Sequence, residues 1–322
     1  MGDQHTGGDR TTGNDRHDRP APAIDGLITA LSANLRDLWA RRLEGGLHLV
    51  ATPIGNLGDI TPRALATLAR ADRVYCEDTR VSGPMLARFG IDRRLLSYHE
   101  HNAETARQEI IAVLADGGSV ALMSDAGMPA ISDPGFKLVR DVIAAGYEVV
   151  CVPGPTALTA ALTVSGLPTD SFYFGGFLPH KSTARRQRIT ELSSMSATLI
   201  FYESPHRVTA SLNDLDEVLG TRHAALAREL TKKFEEVRRG TLTELAASSA
   251  TAPPRGEIAI VIAGAAATAC DDVSDDTILA ALELALADMP PAGAAKSVAK
   301  SLGVSRKRTY DLYLFLKTRT NY

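Results

Sequence analysis

Positions 1–23 carry almost nothing to bury: Gly, Asp, Thr and Arg dominate, and the segment is expected to be disordered because it cannot offset its ordering entropy. Ile24, Leu27, Ile28, Leu31, Leu35, Leu38 and Leu43 then recur at helical spacing, with Trp39 beside the stripe. This predicts an amphipathic helix within 24–45 that has to dock on its own domain or on a second subunit, a structural role rather than a catalytic one. From Gly46 the texture changes. Leu47–Thr52 reads as a buried strand and runs into the Gly/Pro loop PIGNLGDI, after which Thr61 suits a helix N-cap and Pro62 its first position. The same grammar returns three times: Arg73–Cys76 into EDTR, Ser119–Met123 into SDAGMPAISDPG, and Glu148–Val152 into PGPTA and a helix closed by Gly166. Strands alternating with helices predict a mainly parallel sheet with right-handed crossovers, and ligands of such sheets gather outside the carboxyl ends of the strands. All four loops fall at that edge.

The alternation breaks around Pro168–Asp170, which sets the expected domain boundary. Beyond it, Phe172–Phe177, Thr198–Tyr202, His223–Arg228 and Glu257–Ile262 read as strands, with a helix between about Pro205 and Leu219. That order predicts a mixed, partly antiparallel second sheet. An Ala/Asp-rich linker follows, and then three short helical patterns, Thr277–Asp288, Ala292–Leu302 and Arg306–Lys317, with Gly303 ending the second and Ser305 capping the third. The expected organisation is therefore an α/β protein: an extension (1–23), an amphipathic helix (24–45), a parallel-sheet domain (46–168), a mixed-sheet domain (169–264), a linker (265–276) and a small helical tail domain (277–322).

The chain has 322 residues, 44% hydrophobic and 23% charged, which suits a globular protein with two substantial cores. A net charge of −3 gives no overall pull toward polyanions, so contact with nucleic acid has to come from local patches. The tail is such a patch: from Pro290 to Tyr322 it holds seven Lys or Arg against one Asp, and its short turn resembles a helix-turn-helix. Cys76, Cys151 and Cys270 are far apart, which excludes a disulfide framework and suits a reducing cytoplasm; Cys76 and Cys151 lie in apolar runs and are expected to be buried. No stretch approaches a membrane span, and no basic-then-apolar leader begins the chain. There is no G-x-G-x-x-G after a strand, no Walker lysine loop and no G-x-S-x-G elbow. His99, Glu100 and His101 match no zinc spacing without further ligands, so no metal is expected.

The segment Ser124 to Gly135 carries the strongest chemical signal. Small residues after a buried strand let backbone groups approach a ligand, and two prolines preset the loop. On its own chemistry it could equally be a surface turn. Taken in order, however, ATPIGNLGDITPRAL, CEDTR, SDAGMPAISDPG, VPGPTA and FYESPHR resemble successive blocks of the tetrapyrrole-methylase-like (class III) methyltransferases, in the branch that acts on small-subunit ribosomal RNA. The resemblance covers roughly Gly46 to Gly264, and the basic tail is also similar to that branch. The first 45 residues have no counterpart in it, and Ala126 stands where the wider superfamily often has Pro.

Membership would imply two α/β domains binding S-adenosylmethionine in the cleft between them, usually in a homodimer, and methylation of a cytidine ribose 2′-hydroxyl in the decoding region of 16S RNA within the 30S subunit. Carried over by position, Pro53, Ser124, Asp125, Ala126, Met128 and Ala130 would surround the cofactor, Thr156 and Ala157 would meet its carboxylate at a helix start, and Phe201 and Tyr202 would wall the adenine. A ribose hydroxyl is a poor nucleophile and calls for a general base; Asp78, Glu203 and His206 are the candidates, with Glu229 and Lys232 behind them. Each could instead serve an ion pair or a helix start. Arg80, Lys181, Arg185, Arg186, Arg188, Arg207, Lys307 and Arg308 are the candidate phosphate contacts, although the run 181–188 could equally be a solvated helix face. Two other readings stay open: methylation of a tetrapyrrole or another small acidic metabolite, and a non-catalytic ribosome-assembly protein.

Overall fold

A computed structural model describes residues 24–266 and 273–319. The expected disorder of 1–23 and half of the linker (267–272, including Cys270) lie outside the described residues. The chain divides into two compact units, at Thr156/Ala157. This is earlier than the change of pattern at Pro168, because the helix that follows PGPT packs against strands of the second unit.

In the first unit, helix α1 (Ile24–Ala40) precedes β1 (Gly46–Val50), α2 (Pro62–Arg70), β2 (Arg73–Cys76), α3 (Thr79–Ala87), β3 (Leu95–Ser97), α4 (Ala103–Ala115), β4 (Ser119–Met123), α5 (Phe136–Ala144) and β5 (Val149–Val152). The five strands form one sheet in the order β3-β2-β4-β1-β5, every pair parallel. Period-two alternation sends the side chains of each strand to opposite faces. Val50, Val74, Cys76, Ala121 and Met123 pack with Ala64 and Leu68 of α2 and Leu86 of α3. Leu47, Tyr75, Val120 and Leu122 pack with Ile110 and Leu114 of α4 and Leu138 and Val142 of α5. Thr61 caps α2 as its sequence predicts, its side chain accepting from the Ala64 N–H at 3.0 Å, with Pro62 opening the helix. From β1 the chain moves to one side of the sheet, and from β4 it moves to the other. The order therefore reverses between β1 and β4, the place where open α/β sheets hold ligands.

Helix α1 leaves its apolar stripe largely in solvent, and none of its residues is buried. Its C-terminal end is held by Arg70, which donates to the Leu38 carbonyl at 3.1 Å and lies over the Trp39 ring. Cys76 is buried as expected, and its thiol is pushed up to about 11, chiefly by burial. Cys151 is instead exposed, because β5 is an edge strand whose outward residues are not covered.

The second unit contains α6 (Ala157–Ser165), β6 (Phe172–Phe177), α7 (Ser182–Glu191), β7 (Thr198–Glu203), α8 (Val208–Leu219), β8 (His223–Arg228), β9 (Glu236–Thr241), α9 (Leu242–Thr251) and β10 (Ile258–Ile262). Its sheet runs β6-β7-β10-β8-β9, with β6/β7 parallel and the remaining pairs antiparallel, so it is mixed as predicted. Strand β9 and helix α9 are additions to the sequence reading. The Arg/Glu-rich EVRRGT of β9 lacks a strand's apolar pattern because it lies at the sheet edge, and Thr241 with Glu244 forms a capping box for α9. Helix α8 begins at Val208 rather than Pro205, leaving residues 205–207 in a turn.

The tail forms α10 (Asp275–Asp288), α11 (Pro291–Leu302) and α12 (Arg306–Arg319) around Ile278, Leu282, Val298 and Val304. Gly303 is left-handed at φ 67°, and Ser305 Oγ accepts from the Arg308 N–H at 3.1 Å, both as the sequence predicts. No helix among the described residues is long and apolar enough to cross a membrane.

Candidate functional site

The loops after β1 and β4 meet at the reversal point. Thr52 and Gly127 exchange backbone hydrogen bonds of 2.9 and 3.1 Å, and Thr52 Oγ1 donates to the Ser124 carbonyl at 2.8 Å. Gly127 sits at φ +85°, a conformation that costs an L side chain energy, and a Cβ there would lie 3.4 Å from Ile54. Within the same loop Ala130 (φ 67°) and Ser132 (φ 62°) adopt left-handed conformations without being glycine. Such strain, about 1–3 kcal/mol per residue, persists only where the surroundings impose it, and it clusters at ligand-binding segments.

Hydrogen bonds hold the loop in this shape. Ser124 Oγ donates to Asp133, and the Ala126 N–H returns to Ser124 Oγ at 3.2 Å. Asp125 Oδ1 accepts from the Asp78 N–H at 3.2 Å and from Ser82 Oγ at 2.9 Å, tying the β4 loop to EDTR. The residues nearest the turn are small or flexible: Ala126 is exposed, while Met128 and Ala130 are half-buried. Pro53, next to Thr52, is buried, and Gly154 of the PGPT loop approaches Ala51 so closely that a Cβ would come within 2.9 Å of it. The structure thus gathers Pro53, Ser124, Asp125, Ala126, Met128 and Ala130, with Thr156 at the end of PGPT, along one edge of the first unit. Backbone groups held close to a small-residue cradle fit a compact ligand carrying hydroxyl, ammonium and carboxylate groups.

Phe201 is fully buried, packed in the core among Leu199, Leu212 and Ile260, and its ring leaves only 2.4 Å to a Cβ on Gly175. Strand alternation commits its side chain to the core of the second unit. Tyr202, its neighbour, faces the other way and stacks edge-on with Phe174 and Phe177 at centroid distances of 4.9 and 5.8 Å. Ala157 opens α6.

The candidate bases are differently placed. Asp78 caps α3, accepting from the Arg80 N–H at 2.8 Å, and pairs with the Arg80 guanidinium at 2.6 Å. These bonds hold its carboxyl down to about 2, which makes it a weak proton acceptor. Glu203 is buried, one oxygen accepting from the Ser204 N–H at 2.8 Å and the other from Ser211 Oγ at 2.5 Å, with Arg207 Nε 3.5 Å away. It is engaged in holding the start of α8. His206 is exposed in the turn before that helix. Glu229 is paired with Lys232 at 3.0 Å, and Lys232 also reaches Glu257 at 3.0 Å.

Of the expected phosphate contacts, Arg185 is corrected by the structure. It is 5% exposed and bound to Asp214, because the i, i+4 spacing places it on the same inner face of α7 as Ile189. Arg186 is shared between Asp214 and Glu217, and Arg188 between Glu191 and Tyr173. Arg207 donates to the Leu178 carbonyl at 2.6 Å, and Arg308 pairs with Asp275 at 2.7 Å. Lys181 and Lys307 are exposed, as is Arg80 beyond its pairing with Asp78. No cluster of three metal-ligating side chains occurs among the described residues.

The same sheet edge also carries a depression that the sequence does not reveal. Glu77, His99, His101 and Asp133 line a depression of about 490 Å³ beside the strained loop. In the sequence His99 and His101 offer only an incomplete metal-ligand spacing, and Glu77 is not distinguished by type from its acidic neighbour Asp78. The available signal was that EDTR, YHEHN and SDPG all follow strands of one parallel sheet.

Comparison with known proteins agrees with this geometry. Residues 46–246 match the tetrapyrrole (corrin/porphyrin) methylases, and residues 271–317 match the RsmI C-terminal HTH domain. The chain is 52% identical to ribosomal RNA small subunit methyltransferase I of Mesorhizobium japonicum over 87% of its own length and 95% of that protein's. It is 49% identical to the protein of the same name from Xylella fastidiosa over 83% of its length and 98% of that protein's. Among solved structures it resembles diphthine synthase at a TM-score of 0.55 and 18% identity, over 67% of this chain and 89% of that one, a likeness of fold. The parallel sheet with its reversal at β1/β4, the mixed second sheet and the helical tail are thus accounted for together: the chain belongs to the tetrapyrrole methylase family of methyltransferases.

Proposed function

We propose that the protein transfers a methyl group from S-adenosylmethionine to the ribose 2′-hydroxyl of a cytidine in the decoding region of 16S ribosomal RNA, acting on the 30S subunit. The observation that carries the RNA reading is the joint presence of the methylase body and the C-terminal three-helix unit, in relatives named for the small ribosomal subunit. A small-molecule methylase has no need of a basic tail. The β1 and β4 loops would hold the cofactor, with Ala126, Met128 and Ala130 lining its site and the Asp125 carboxylate able to accept from a hydroxyl or ammonium group. The Thr156–Ala157 backbone faces its carboxylate, as helix starts favour anions. Bound there, it supplies an electrophilic methyl carbon, and the protein's work is to orient the acceptor oxygen in line with it.

RNA phosphates are met by Lys181, Lys307, Arg80 and the outer faces of Arg186, Arg188, Arg207 and Arg308. The enzyme works in the cytoplasm as a homodimer, as the resemblance implies, and sedimentation of the purified protein tests that state directly. Function is tested by methyl transfer from labelled S-adenosylmethionine to isolated 30S subunits, naked 16S RNA and a tetrapyrrole precursor in parallel. Label in RNA alone is expected. Label in the tetrapyrrole alone overturns the reading, and absence of cofactor binding by calorimetry would instead make the protein a non-catalytic assembly factor.

A further inference from the structure

Three consecutive strands of the first unit deliver titratable groups to one cavity. Glu77 follows β2, His99 and His101 follow β3, and Ser132 and Asp133 belong to the strained loop after β4. The cavity measures about 490 Å³, ample for one nucleoside. It shares Asp133 with the loop whose other end cradles the proposed methyl donor, because Asp133 accepts from Ser124 Oγ.

The groups in this cavity differ from the candidate bases in what already occupies them. Asp78 is spent on a helix cap and an arginine, and Glu203 on a serine and a backbone amide. Glu77 is exposed at the cavity, and its carboxylate takes part in no side-chain hydrogen bond or ion pair among the described residues. His99 Nδ1 is buried without a hydrogen-bond partner, while its backbone N–H is held by Asn102 Oδ1 at 2.9 Å. The surrounding charge is mainly negative: partial burial pushes the Glu77 carboxyl up, and Asp133, Asp125 and Asp78 push it further, with His99 opposing. Burial also raises Asp133, and Asp125 adds to the rise against the Ser124 hydrogen bond. A carboxylate with a raised pKa and a free oxygen is the type of group that proton abstraction near neutral pH requires.

We propose that this cavity receives the acceptor ribose and that Glu77 takes the proton of its 2′-hydroxyl, an inference that rests on the methyltransferase reading above. As the O–H bond breaks, the proton passes to a Glu77 carboxylate oxygen. The hydroxyl oxygen bonds to the methyl carbon, and the carbon–sulfur bond of the donor breaks with its electron pair left on sulfur, yielding a 2′-methoxy nucleotide and S-adenosylhomocysteine. Asp133 is a positioning residue: its charge keeps Glu77 basic, and its link to Ser124 joins the acceptor cavity to the donor loop. His99 and His101 hydrogen-bond the remaining sugar oxygens.

The experiment uses the full-length chain with 30S subunits and labelled S-adenosylmethionine across pH 5 to 9. Glu77→Gln is expected to lower kcat by about 10²–10⁴-fold while KM for the subunit and the calorimetric Kd for S-adenosylmethionine stay within about threefold of wild type. It is also expected to abolish the ascending limb of the pH–rate profile. Asp133→Asn is expected to move the midpoint of that limb to lower pH, because removing a negative neighbour makes Glu77 more acidic. Since a raised carboxyl costs stability as pH rises, the thermal midpoint of Glu77→Gln at pH 7 is expected to equal or exceed that of wild type. A kcat within about threefold of wild type with the limb intact would overturn the assignment, as would a parallel loss of cofactor affinity. If the wild-type chain itself binds no S-adenosylmethionine and labels no RNA, the methyltransferase reading fails as well. That result is separable from an active wild type with an unaffected variant.

Discussion

Replacing Asp214 by asparagine tests the energetics of the second unit and the assignment of its basic helix together. Asp214 is 3% exposed and accepts from Arg185 Nε at 2.6 Å, Arg186 Nε at 2.7 Å and Ser182 Oγ at 3.0 Å. It fastens α7 to α8. The amide keeps the size and one acceptor oxygen but leaves the Arg185 guanidinium, 6% exposed at its side chain, buried without its counter-charge. Breaking a buried pair from one side costs about 3–5 kcal/mol, because the surviving charge is neither hydrated nor paired. At roughly 2–4 °C per kcal/mol for a unit of this size, the thermal midpoint should fall by on the order of 10 °C.

Urea unfolding of the variant should show a lower midpoint with an unchanged slope. The pH dependence carries a sign. Burial pushes the Asp214 carboxyl up, but hydrogen bonds from Arg186, Ser182 and Arg185 outweigh it and leave the pKa lowered. Its contribution is therefore complete above the unfolded value of about 3.9 and is lost as pH falls through the lower folded value. The gap between wild type and variant should narrow in that window. A loss under about 1 kcal/mol at pH 7 would mean that Arg185 relaxes into solvent, refuting its exclusion from the RNA-facing surface.

Gly256→Ala should destabilise by about 1–3 kcal/mol in thermal unfolding, since it requires an L residue at φ +85° with its Cβ 2.2 Å from Glu229 Oε1. An unchanged midpoint would show that Glu229 moves aside freely. Lys307→Glu and Lys181→Glu should each weaken binding to 30S subunits and reduce the steepness of its salt dependence by about one charge per site, whereas Arg185→Gln should lower stability first. Equal salt slopes for all three variants would contradict the placement of α7. Asp125→Ala removes the bonds to the Asp78 N–H and Ser82, and it should weaken S-adenosylmethionine binding about tenfold or more by calorimetry; wild-type affinity would remove this residue from the cofactor site.

The periodic parts of the chain are legible in its sequence. The first sheet follows from buried strands alternating with capped helices, and Thr61, Pro62, Gly303 and Ser305 do what their types favour. What hides from the sequence is partner choice and orientation. Arg185 reads as one of four basic residues in a surface patch, and only folding shows that it shares a helix face with Ile189 and meets Asp214 from α8. Phe201 and Tyr202 are adjacent and equally aromatic, yet strand alternation commits the first to the core. Strand β9 reads as charged loop because an edge strand need not be apolar on either face. The candidate base shows the same limit. Asp78 and Glu77 are neighbours in EDTR, and which of them is spent on a helix cap depends on where α3 begins. The loop after β4 stands out in the sequence by its glycines and prolines, whereas the strain at Ala130 and Ser132 is invisible in residue type.

In the proposed function, the cradle between β1 and β4 delivers a methyl group to a ribose oxygen of ribosomal RNA. The most direct measurement is nucleoside analysis of 16S RNA from 30S subunits incubated with the purified chain and labelled S-adenosylmethionine. The account predicts that the label elutes as 2′-O-methylcytidine from a single decoding-region position, at one methyl group per subunit. Label on a base carbon or nitrogen, or on no RNA nucleoside while a tetrapyrrole precursor is methylated, would contradict it.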